Sequence, residues 1–144
     1  MATSLLFFHL GFACLWLGCV VTEALFERAL LAGDRSAHLV LADLHVRVDK
    51  FIEIPAILIV FCSGAWLWLH STSSGVAFYS MVTAGFIAIA ANVYCVFLVF
   101  KRQTAAHAGE WEAFDRLDHL QHKIGAIVLV GLLVALGAGL GARI

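Results

Sequence analysis

The sequence predicts an all-α fold, an integral membrane four-helix bundle in which helices 2 and 4 extend beyond the bilayer. Three observations predict it. The chain of 144 residues is 62% hydrophobic and only 13% charged, where soluble domains carry ~25%. Four apolar runs recur along it, and about 20 such residues cross a ~30 Å hydrocarbon core. Short polar turns separate the runs, which leaves room for neither a soluble domain nor a long linker, so residues 1–144 read as a single transmembrane domain. Net charge is −1 and the basic residues form no block, so a nucleic-acid partner is not expected; the expected surroundings are the lipid bilayer.

The first span is expected over about 5–31. LLFFHLGFACLWLGCVVT is apolar apart from His9. It has no basic region before it and no small-residue cleavage site after it, so it reads as a retained span and not a signal peptide. Ala32 to Ser36 supplies a turn, with Ser36 as the expected cap. The second helix, about 37–70, begins amphipathic and becomes continuously apolar only at Ile54. Pro55 at that join removes an N–H and crowds the preceding turn, which predicts a kink. The polar stretch from His70 to Gly75 precedes the third span, about 76–101, which Lys101 and Arg102 close. Thr104 to Glu112 reads as a linker. The fourth helix, about 112–142, passes from amphipathic WEAFDRLDHLQHK into IGAIVLVGLLVALGAGLGA. Its Gly131, Gly137, Gly139 and Gly141 suit close helix contact, within the chain, with a second copy or with a membrane partner subunit. Cys14, Cys19, Cys62 and Cys95 lie inside apolar runs without paired spacing and read as buried thiols, not disulfides or ligands.

Four alternating crossings gather Arg28, Arg35, Arg47, Lys50, Lys101, Arg102, Arg116 and Lys123 at one end, with only Arg143 at the other. The positive-inside rule then puts the charged end in the cytoplasm and both termini outside, in a bacterial inner membrane.

That end also collects the chemistry. His45, Asp49 and Glu53 recur every four residues and share a helix face. Asp115, Asp118, His119 and His122 form a second stripe, carboxylate and imidazole at helical spacing as in bundles that grip a cofactor. Glu23 and Glu27 form a third, and glutamates this near hydrocarbon need an inward face and partners. The expected metal ligands are Glu23, His45, Asp49, His119 and His122, with Glu27, Glu53, Asp115 and Asp118 as further ligands or supports. Mixed oxygen and imidazole donors suit zinc, iron or manganese, with copper(II) also admissible, and a ligand count above four allows two ions. Redox chemistry, and with it an oxidoreductase, follows with iron, manganese or copper. The cofactor-free counterpart is an interaction subunit in which Arg28, Lys50, Arg116 and Lys123 pair with these acids.

FHLGFACLWLG with its early His9, VDKFIEIPAILIVFCSGAWLWL, and VYCVFLVFKR followed by a tryptophan-containing loop resemble the small four-helix membrane family of HemJ-type protoporphyrinogen oxidases and CopD-like domains. The likeness covers most of the chain at the level of topology. It implies haem b at His9, and electron transfer or porphyrinogen oxidation as the activity. That family's third-helix lysine has no counterpart around Val82 and Thr83.

Overall fold

In lipid every backbone N–H and C=O must be satisfied within the protein, which leaves an apolar 20-residue segment little choice but a helix. The computed structural model describes residues 2–141 and is built of α1 (Ala2–Leu30), α2 (Arg35–Val48), α3 (Ile54–Leu69), α4 (Val76–Ala108) and α5 (Trp111–Gly141). A π-helical turn, Asp49–Glu53, joins α2 to α3, so that Arg35–Leu69 is one rod and the molecule is a four-helix bundle. All four rods are long and apolar enough to cross a membrane. At 1.5 Å per residue the 29 residues of α1 and the 33 of α4 reach roughly 43 and 50 Å, well past a ~30 Å hydrocarbon core. Residue 142 of the fourth expected span and Arg143 lie outside the described residues.

Two local expectations change. The cap of α2 is Asp34, not Ser36: the Asp34 carboxylate accepts from the Ala37 N–H at 3.1 Å, and the Ser36 hydroxyl donates to that carboxylate at 2.6 Å. Those two donors hold the exposed Asp34 carboxyl below its ordinary value of 3.8. The folded form therefore gains from this cap above the unfolded carboxyl's pKa and loses the gain as pH falls through the lowered one. Asp34→Ala should speed hydrogen exchange at Ala37 at neutral pH, and acid should produce the same change in the wild type; equal exchange in both proteins at neutral pH would remove Asp34 as the cap.

The linker expected over Thr104–Glu112 is mostly helix. Ala105 and Ala106 are buried against Ala42 and Phe114, and only Gly109 breaks the rod, at φ 73°. The Gly109 N–H donates to Ala106 O and the Glu110 N–H to Ala105 O, the left-handed termination for which glycine is suited. Pro55 lies in the first turn of α3, just past the π turn, where the N–H that proline lacks is least needed by the α-helix that follows.

The core inside the membrane is made of small and branched residues packed around one tryptophan, Ala13 and Trp16 from α1, Ala56, Ile57 and Val60 from α3, Ala88 from α4, and Val128 and Leu132 from α5. Gly131 lets α4 and α5 approach closely, since a Cβ there would stand 3.0 Å from Ala88 Cβ and 3.2 Å from Ala84 O. Gly139 does the same against Met81, while Gly137 and Gly141 have nothing within 4 Å. Gly131→Leu should destabilise the bundle by ~1–3 kcal/mol, the usual range for overpacking, read as a lower unfolding midpoint in detergent; an unchanged midpoint would mean the two helices are free to separate.

A second apolar cluster, Ala42, Ala105, Ala106 and Phe114 with Leu31, Leu39 and Trp111 around it, closes the charged end. The rods that begin at α2, α4 and α5 each carry a residue of this cap and a residue of the membrane core with a polar stretch between them, and Leu31, just past the end of α1, completes the cap. The polar stretches meet in one layer between the two clusters.

Candidate metal centre

His45 stands in the middle of the polar layer, buried, with Nε2 3.3 Å from Glu23 Oε2 and 3.9 Å from Asp49 Oδ1, and Nδ1 3.3 Å from Glu27 Oε1. α1 supplies the two glutamates one helical turn apart. The rod of α2 and α3 supplies His45, Asp49 and Glu53, the last two from the π turn, and both are buried, at 1% and 3% exposure.

The acids fall into two sets. Glu27, Asp118 and His122 face Arg102, a fully buried guanidinium on α4. Its Nη1 donates to Glu27 Oε1 at 2.9 Å and to Asp118 Oδ1, and its Nη2 donates to His45 Nδ1 at 2.9 Å. Gln121 Nε2 donates to Glu27 Oε1 at 2.9 Å, and His122 Nε2 lies 3.0 Å from Glu27 Oε2. Glu23, His45 and Asp49, with Glu53 in the adjoining turn, make up the other set, and among the described residues no lysine or arginine is paired with its three carboxylates. Glu23 Oε1, both oxygens of Asp49 and Glu53 Oε1 are buried and have no hydrogen-bond partner. One ligand atom each from Glu23, His45 and Asp49 lie within 4.8 Å of one another, and the same holds for Glu27, Asp118 and His122. On the membrane side Asn92 Oδ1 accepts from Trp16 Nε1 at 3.2 Å, leaving Asn92 Nδ2 buried and unpaired.

The structure therefore brings Glu23, Glu27, His45, Asp49, Glu53, Asp118 and His122 into one layer and leaves His119 and Asp115 outside it. His119 is exposed, and Asp115 is held at the surface by Arg35 at 3.0 and 3.2 Å. The reason is angular. At about 100° per residue the buried Phe114, Gln121, Val128 and Leu132 lie roughly 220–260° round α5 from Asp115, while Asp118, His122 and His119 lie at about 300°, 340° and 40°. The polar stripe is real but its centre is rotated away from the bundle, so only its leading edge reaches in. His38, on the same rod as His45, belongs to the cap and stacks on Phe114 at 5.5 Å.

Arg28, Lys50, Arg116 and Lys123, the cations expected to pair with the acids, are exposed and make no ion pair among the described residues. Arg102 does that work instead. Beside Lys101 at the end of an apolar run it reads as a helix-ending charge, and only the continuation of α4 to Ala108 turns it inward. Gln121 was legible in one respect, since it lies three residues from Asp118 and seven from the apolar Phe114 and Val128.

His9 sits in the other half of the bundle. Its Nδ1 is 2.9 Å from Ser63 Oγ, and its ring lies against Gly64, where a Cβ would stand 2.9 Å from Cε1. His70 ends α3, with Nδ1 2.8 Å from Trp66 O and its ring stacked on that indole. The four cysteines are free thiols. No protein-family model matches the chain, and neither does any curated protein or solved structure.

Proposed function

We propose that this integral membrane protein binds one divalent metal ion among Glu23, His45, Asp49 and Glu53. The observation that carries the reading is the set of four unpartnered carboxylate oxygens on Glu23, Asp49 and Glu53, two of these acids lying with His45 at ligand distance. A buried carboxylate left short of donors and counter-charge is costly; these three have one imidazole edge between them, His45 Nε2 at 3.3 Å from Glu23 and 3.9 Å from Asp49, and the one buried arginine among the described residues is bound to the neighbouring acids. Carboxylate oxygens with one imidazole suit manganese, iron or zinc by ligand softness. For His45 to offer Nε2, its proton must sit on Nδ1, where Glu27 Oε1 at 3.3 Å can accept it, the carboxylate–histidine–metal arrangement of many sites. Arg102 Nη2 then gives up Nδ1, while Nη1 keeps the two carboxylates. Iron or manganese would make the site redox-active and the protein a membrane oxidoreductase; zinc would make it structural or hydrolytic.

The concentration of Lys and Arg at the metal-bearing end supports a cytoplasmic placement for it, with both termini outside, in a bacterial inner membrane. The test of the metal reading is elemental analysis of the protein purified in detergent, supplied with Mn²⁺, Fe²⁺ or Zn²⁺ and then dialysed. About one equivalent should remain. No retained metal under any of the three would mean that protons, not an ion, neutralise these carboxyls, and the reading would fail.

A further inference from the structure

Glu27, Asp118 and His122 have the makings of a metal site of their own. They come from α1 and α5, their ligand atoms can close to within 4.8 Å of one another, and His122 is 44% exposed, which opens the set to solvent. Gln121 adds a neutral oxygen, since its Nε2 is spent on Glu27 while its Oε1 is buried and unpartnered. Yet the set already contains a cation. Arg102 is 0% exposed and donates to both Glu27 and Asp118, while its Nε has no acceptor. A guanidinium that leaves a buried donor unused while neutralising two carboxylates is placed for its charge.

We propose that Glu27, Asp118 and His122 form a latent second site for a divalent cation, and that Arg102 is its resident charge, holding the bundle to one ion. This rests on the reading of Glu23, His45, Asp49 and Glu53 as the site of the first ion. A divalent ion beside the guanidinium would meet like charge in a region of low dielectric. Removal of the guanidinium leaves two carboxylates, an imidazole and an amide oxygen for a metal with oxygen and nitrogen preferences, of the manganese, iron or zinc kind.

Full-length protein in detergent would be loaded with Mn²⁺, and its manganese content and electron paramagnetic resonance spectrum measured for the wild type, Arg102→Gln, Arg102→Lys and Arg102→Gln with Asp118→Asn. The expected contents are one, two, one and one equivalents, because lysine keeps the charge and Asp118→Asn removes a ligand of the second ion. Arg102→Gln should also show a spin-coupled pair where the wild type shows an isolated ion. One equivalent in Arg102→Gln would overturn the proposal and leave the first site standing. No manganese in the wild type but one equivalent in Arg102→Gln, lost on adding Asp118→Asn, would overturn the first site and leave this one. If Arg102→Gln does not fold, the wild-type spectrum still decides: a coupled pair overturns the proposal, and an isolated ion supports it.

Discussion

Arg102→Met is expected to lower the stability of the bundle by about 3–5 kcal/mol, the range for removing one partner of a buried ion pair. Glu27 and Asp118 would be left facing each other in a layer closed by the apolar cap on one side and the membrane core on the other. Methionine fills much of the volume but supplies neither charge nor donor, and His45 Nδ1 loses the donor at 2.9 Å as well. The contrast is Arg35→Ala. Arg35 also makes a two-pronged carboxylate pair, with Asp115, but both side chains are about half exposed, and exposed pairs are worth ~0–1 kcal/mol. Unfolding midpoints in the same detergent, with helicity as the signal, would compare the two. If Arg102→Met costs no more than Arg35→Ala, the buried acids are neutral or hydrated and the ion-pair account is wrong.

The second large effect concerns the metal. His45→Ala combined with Asp49→Asn should abolish retention of the ion, because it removes the imidazole at the centre of the layer and one of the unpaired carboxylates. Loss of a partner that only orients a ligand costs roughly 10–100-fold in affinity, and loss of two ligands should exceed that. His119→Ala separates the two ways of reading α5. As a member of the polar stripe it would weaken binding; as the exposed side chain the structure places it, it leaves the metal content as it was. Metal content after dialysis, read by elemental analysis for the wild type and both variants, gives the answer. Undiminished retention in the double variant would remove His45 and Asp49 as ligands.

Most of the candidate layer was legible because helical spacing is visible in one dimension. His45, Asp49 and Glu53 at four-residue intervals, and Glu23 with Glu27, announce faces without knowledge of any neighbour. Angular spacing, however, fixes a face only relative to its own helix. Whether the α5 stripe points at the bundle depends on where α4 lies, and that contact is set by Ala84, Ala88 and Gly131, far from the stripe. His119 and Asp115 were therefore indistinguishable from Asp118 and His122 in sequence. The length of α4 posed a similar problem. QTAAHAGE looks like a linker by its polarity, but Ala105 and Ala106 are good helix formers with a buried face available against Ala42 and Phe114, and tertiary burial decided in favour of helix.

Composition and the apolar runs by themselves determined that this chain is an all-α membrane bundle, because a continuous apolar run of about 20 residues satisfies its own backbone in hydrocarbon as a helix. They also determined that its acids, and most of its imidazoles, gather at one end, since alternating crossings bring those stretches to the same side. Only the tertiary structure decided which carboxylates are already neutralised. Arg102 could have faced lipid headgroups with Lys101, and the packing of α4 on α2 and α5 turned it inward. The partition into a set that holds its own cation and a set whose oxygens have none is a property of charges brought together across helices, at distances that spacing within one helix does not encode.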